Sequence, residues 1–142
     1  MDYFDISQEV LDIYLTKHPD SIISINLKAC NSFRLQDERA YEMFKKNLEN
    51  NGTFGSDLVK HNMVVLRGGE GAMQVFPSLI DIVPEARINL AIYYLRSGDV
   101  AKAEELMKDV KPTVSYEYVL KGVVHASLAQ QLGSVSLFCF FL

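Results

Sequence analysis

The residues best suited to chemistry are few and scattered. His18, His61 and His125 stand far apart, with neither an HExxH pair nor CxxC spacing beside them, so they do not read as a metal site. Cys30 and Cys139 are the two cysteines. They are too few and too separated for a disulfide framework or a redox pair. Cys30 falls within an apolar helical run and reads as a small buried hydrophobe. Serines occur throughout, but no local signature makes any of them, or either cysteine, a nucleophile. Gly68-Gly69-Glu70-Gly71 has the composition of a phosphate-cradling loop, yet no strand precedes it and no Gly-Lys-Ser/Thr follows. A turn between helices is the better reading. Asn26 and Asn89 are different in kind. Asparagines at equivalent positions on successive helices can hold an extended peptide backbone in a groove, or can cross-link the helices. No catalytic, cofactor-binding or metal-ligating residue is therefore assigned, and no small-molecule substrate is expected.

The composition agrees with this. Apolar residues make up 49% and charged residues 23% of 142 residues, enough to build a core and ordinary for one globular domain. The net charge is −4 and the pI about 5.3, so the basic stripe expected of a nucleic-acid binder is absent. The N-terminal MDYFDISQEV is acidic and lacks the basic and apolar regions of a signal peptide. The apolar run VSLFCFFL, Val135 to Leu142, is far shorter than the roughly 20 residues that span a bilayer. Membrane insertion is not expected, and the cysteine usage suits a reducing, cytoplasmic setting.

Such a chain must act through its helices, and these are legible from apolar periodicity. The first runs from Asp5 to Lys17, with Val10, Leu11, Tyr14 and Leu15 on one stripe and Asp5 as its cap. The second covers Ser21 to Leu35, apolar at Ile22, Ile23, Leu27, Cys30 and Phe33. The third follows Asp37 and carries Ala40, Tyr41, Phe44 and Leu48. The fourth spans Ser56 to Leu66, and the fifth Gly71 to Val83, with Pro77 expected to kink it slightly. Pro84 to Pro112 holds the sixth and seventh. Leu90, Ala91, Tyr94 and Leu95 line the first of these; Ala103, Met107 and Val110 line the other. Ser97-Gly98-Asp99 lies between, with Gly98 suited to end one helix and Asp99 to cap the next. Ser115 caps the eighth, which runs to about Leu132. No convincing strand appears.

The second helix of each pair repeats a small residue followed four later by a large one: Ala40 and Phe44, Ala72 and Phe76, Ala103 and Met107. The alanines lie 32 and then 31 residues apart, and Ser7 with Leu11 extends the series at a spacing of 33. Prolines at Pro19, Pro84 and Pro112 close the units. This is the grammar of the tetratricopeptide repeat, in which no helical hairpin buries its apolar face alone and each stacks on its neighbours. The expected fold is all-α: a right-handed solenoid of helical hairpins with about eight helices over residues 1–134, followed by a divergent apolar tail at 135–142. Ala40, Phe44, Ala72, Phe76, Leu90, Ala91, Tyr94, Ala103 and Met107 are its expected packing positions, and Asn26 and Asn89 its possible groove residues.

Longer stretches are more specific. EGAMQVFPSLIDIVPEARINLAIYYLRSGDVAKAEELMKDVKPT, YEYVLKGVVHASLAQQLGS and LDIYLTKHPDSIISINLKACNSFRLQDERAYEMFKKNLENN closely resemble the family of intraflagellar transport protein 56, also called tetratricopeptide repeat protein 26. The resemblance covers about Met1 to Ser134. It implies a non-enzymatic scaffold or adaptor subunit of intraflagellar transport complex B, whose partners are other subunits of that complex and ciliary cargo proteins. It also implies residence in the cilium, at the ciliary base and in the cytoplasm, with no cofactor. Family members are much longer, which implies an internal fragment or short isoform here. The alternative is a general peptide-binding module of the co-chaperone kind, which grips a C-terminal carboxylate with Lys, Asn and Arg on neighbouring helices. Asn26 and Asn89 have no such positive partners in register.

Overall fold

A computed structural model of the chain describes residues 3–35, 42, 45 and 55–133. Among the described residues the protein is all-α, with seven helices and no strand. They are α1 (Phe4–Lys17), α2 (Ile22–Arg34), α3 (Ser56–Leu66), α4 (Ala72–Leu79), α5 (Pro84–Arg96), α6 (Val100–Met107) and α7 (Ser115–Gln131). The helix expected after Asp37, with Ala40 and Phe44, and the tail Val135–Leu142 lie outside the described residues. The helices fall into two compact units, Met1–Gly71 and Ala72–Leu142.

In the first unit α1 packs on α2 and α2 on α3. Among its described residues Ala29 and Val59 form a buried apolar pair, with Ile22, Cys30, Met63 and Leu66 around them. Polar side chains carry much of the contact. Gln8 donates from Nε2 to Ser32 Oγ at 2.8 Å, and Asn31 donates from Nδ2 to Ser7 Oγ at 2.8 Å. Lys28 pairs with Asp12 on the same α1–α2 contact. These bonds correct the expected stripes. On α1, Leu11 and Leu15 are half-buried while Val10 and Tyr14 are exposed. A turn of 100° per residue puts Ser7, Gln8, Leu11 and Leu15 on one face, and that face meets α2. On α2, Ile23, Leu27 and Phe33 are exposed, whereas Ser24, Asn26, Ala29, Asn31 and Ser32 are buried. Polar groups can be buried here because their hydrogen-bond partners are present. Asp5 does not cap α1. The cap position is Tyr3, which makes no side-chain bond, and Asp5 lies in the first turn. Ser21 does cap α2, accepting from the Ser24 N–H at 3.4 Å.

Among the described residues the second unit has more buried apolar side chains. Ala72, Phe76 and Leu79 of α4 are buried, as are Ala86 and Leu90 of α5. A further cluster joins Ile88 and Ala91 of α5 to Ala103 and Met107 of α6 and to Leu120 and Val124 of α7. Tyr94, Leu95, Leu106 and Val110 pack against it. Burying a side chain such as Phe76 or Met107 contributes about 1.5–3 kcal/mol. The fifth expected helix is shorter than its periodicity suggested and ends at Leu79, not Val83. Pro77 has no N–H to continue the ladder, and Ile82 and Val83 instead donate back to Leu79 O at 3.0 and 2.8 Å. Pro84 then opens α5 at its first position, where a missing N–H costs nothing.

Candidate protein-interaction surface

The turn between α5 and α6 sets the geometry of the second unit. Gly98 has φ +82°, and its N–H donates to Leu95 O at 3.1 Å while Asp99 N–H reaches Tyr94 O at 2.9 Å. This pair of bonds is a Schellman motif, which satisfies the Leu95 and Tyr94 carbonyls at the end of α5. Asp99 then caps α6 by accepting from the Lys102 N–H at 3.3 Å. Its carboxylate also pairs with Lys102 Nζ at 2.6 Å, and that ammonium sits 5.3 Å from the centre of the Tyr94 ring. The hydrogen bond from Lys102 holds the Asp99 carboxyl below its ordinary range.

Past α6, two side chains of α7 fasten the connection. Lys121 Nζ donates to the carbonyls of Val110 at 2.8 Å and Lys108 at 3.2 Å. Glu117 Oε2 accepts from the backbone N–H of Thr113 at 2.7 Å and of Val114 at 3.3 Å. The bond from the Thr113 N–H, above all, lowers the Glu117 carboxyl from its ordinary value. Ser115, the expected cap, is instead the first helical residue, and Glu117 satisfies the free backbone donors from inside the helix. At the far end Gln131 Nε2 lies 3.5 Å from Gly98 O, placing the end of α7 beside the end of α5.

The result is an open groove of about 500 Å³ between α5 and α7. Ile92, Leu95, Arg96, Tyr116, Val119 and Val123 are among the residues that line it. Val119 is 66% exposed and Val123 47%. No groove residue of α7 was anticipated from sequence. The available signal is the breadth of its apolar stripe: Tyr116, Val119 and Val123 recur at helical spacing beside the buried Leu120 and Val124, more than one core face requires.

The other candidate residues are accounted for as follows. Ala72, Phe76, Leu90, Ala91, Ala103 and Met107 are buried in the second unit, and Tyr94 is half-buried against its cluster. Asn26 belongs to the first unit and is 5% exposed; its Oδ1 accepts from Asn62 Nδ2 at 3.0 Å. Asn89 is half-buried on α5 in the second unit. Gly68 and Gly69 form a second Schellman closure, their N–H groups donating to Val65 O at 3.0 Å and Val64 O at 2.9 Å. Those N–H groups therefore end α3 and are not free to hold a phosphate. His18 stacks on Tyr14 at 4.5 Å between ring centres, and His61 Nδ1 is 3.0 Å from Asn62 Oδ1. Burial pushes the Cys30 thiol up, only partly offset by Arg34, so it stays in its weakly nucleophilic protonated form. Among the described residues no three His, Cys, Asp or Glu side chains converge to hold a metal ion, and no helix is long and apolar enough to cross a membrane.

The comparisons with known proteins follow the same lines. The family model for intraflagellar transport protein 56 matches residues 1–138. An intraflagellar transport protein 56 homolog from Caenorhabditis elegans is 30% identical over 156 aligned residues, covering 94% of this chain and 27% of the relative. The chain thus spans about a quarter of the length of that curated relative. Helical hairpins without a convergent polar site, together with a family match over nearly every residue, lead to one assignment: the chain belongs to the intraflagellar transport protein 56 family.

Proposed function

We propose that this chain is part of a non-enzymatic scaffold or adaptor subunit of intraflagellar transport complex B, supporting cilium assembly and the carriage of ciliary cargo proteins. Its partners are then other subunits of that complex and cargo. It works in the cilium, at the ciliary base and in the cytoplasm, and it uses no cofactor. The carrying observation is the family match over residues 1–138. The physics of the surface supports the same reading. The second unit presents exposed apolar side chains on two neighbouring helices, the chemistry of a protein contact whose affinity concentrates in a few buried anchors. A co-chaperone-like carboxylate clamp finds less support, because Asn26 already spends its side-chain oxygen on Asn62.

The test is a rescue experiment in ciliated cells lacking the longer family protein. Return of the full-length protein should restore cilia and cargo entry, and should co-purify transport subunits. Normal cilia in the depleted cells, or recovery of chaperones with no transport subunits, would reject the assignment. This chain alone should restore these functions only partly, since it spans 27% of its curated relative.

A further inference from the structure

We propose that two copies of this chain pair through the outer face of α1, antiparallel about a two-fold axis at Val10. The inference goes beyond the scaffold reading and does not depend on it. Its first support is a second apolar stripe on α1. Tyr3, Ile6, Val10, Ile13 and Tyr14 are all exposed, Val10 by 59% and Ile13 by 67%. At 100° per residue they share one face, turned about 130° from the face of Ser7, Gln8, Leu11 and Leu15 that meets α2. No residue of α1 is buried. Exposed apolar residues scattered singly are ordinary, but a continuous stripe marks an interaction surface.

The second support decides between occupants. Counted from Val10, Ile6 lies four residues back and Tyr14 four on, while Tyr3 lies seven back and Lys17 seven on. A stripe with that symmetry matches itself when a second α1 runs antiparallel. Val10 then faces Val10 of the partner subunit, Ile6 faces the partner's Tyr14, and Tyr3 covers the apolar stem of the partner's Lys17. A two-fold pair requires such a self-complementary patch.

Charge follows the same symmetry. Asp5 stands in the first turn of α1 and Lys17 in the last. The antiparallel pairing brings each Lys17 within a turn of the partner's Asp5, and sets each helix's positive dipole end beside a negative one. A parallel pair would place like charges together. Glu9, exposed beside the stripe, disfavours an anionic bilayer surface as the occupant. The stripe offers far fewer than the roughly 20–30 residues a side of a stable interface, so the dimer is weak and exchanges with monomer.

Sedimentation equilibrium of the full 142-residue chain tests this, from about 1 μM to about 1 mM, where so small an interface associates. Circular dichroism first confirms that each variant keeps its helicity. A monomer–dimer equilibrium is expected. Val10→Asp should weaken it at least about tenfold, because docking would bury a charge. Val119→Asp, the same change at an exposed apolar position of α7, should leave it unchanged. Lys17→Glu should weaken it by facing the partner's Asp5 with a like charge, and Asp5→Lys added to Lys17→Glu should recover part of the loss. A chain that is monomeric throughout, a dimer that Val10→Asp leaves intact, or no recovery in the doubly exchanged variant would overturn the proposal. A dimer lost in Val119→Asp and kept in Val10→Asp would overturn it in favour of pairing through the groove between α5 and α7.

Discussion

Asn62 on α3 donates from Nδ2 to Oδ1 of Asn26 on α2 at 3.0 Å, a bond between residues 36 apart in sequence. It is a direct side-chain link between α2 and α3, which pack on each other. Asn26→Ala should lower the stability of this unit by about 0.5–1.5 kcal/mol, the net worth of one hydrogen bond, since Asn62 Nδ2 keeps only Cys30 Sγ at 3.6 Å. Asn26→Ala combined with Asn62→Ala should cost less than the two single changes added together. Urea unfolding followed by circular dichroism measures both. An unchanged midpoint for Asn26→Ala would show that this bond adds nothing to the unit's stability.

Ala103 on α6 is fully buried in the cluster that also holds Ala91 of α5 and Val124 of α7. Ala103→Val should cost about 1–3 kcal/mol through overpacking. Ala103→Asp should cost more, because it also buries an unpaired charge. If both variants unfold at the wild-type urea midpoint, α6 does not pack in this register.

Gly98 and Gly122 should respond to alanine with opposite signs. A Cβ at either would meet nothing within 4 Å, so backbone conformation decides. Gly98 has φ +82°, and Gly98→Ala should destabilise by about 1–2 kcal/mol. Gly122 lies within α7, and Gly122→Ala should stabilise by about 0.5–1 kcal/mol. Thermal melts of the two variants, read against wild type, give the signs directly.

Glu117 makes the start of α7 sensitive to acid. Its folded-state carboxyl is held below its ordinary value by the Thr113 N–H, so the folded state binds protons less readily than the unfolded chain. Its contribution is therefore fully present above the unfolded value of about 4.3. It is lost as pH falls through the lower folded value. Asp99, held down by its hydrogen bond from Lys102, acts in the same direction. Urea midpoints should show Glu117→Gln less stable than wild type at pH 7, with the gap closing below about pH 4. A gap that stays constant across that range would mean the carboxylate charge plays no part.

How much of this was legible in the sequence depends on which interactions are local. The turn at Ser97-Gly98-Asp99 was, because a left-handed glycine and a capping aspartate act within one turn of chain. The alternation of helix and turn, and the all-α class, followed from apolar periodicity in the same way. The burial of Ala91, Ala103 and Met107 matches their spacing, since the second unit is built on an ordinary apolar face. The first unit reads differently because hydrophobicity alone cannot say which face of a helix finds partners. Ser7 and Gln8 become inward-facing only because Asn31 and Ser32 stand opposite, 24 residues away in sequence, and Ile23 and Leu27 are left outside. The same holds for the cap of α7, where Glu117 reaches back and displaces Ser115 from the role its residue type suggested. The groove is wholly a product of tertiary structure. Ile92 and Val119 are unremarkable in sequence and become one surface only when α7 lies beside α5, where Gln131 reaches the Gly98 carbonyl.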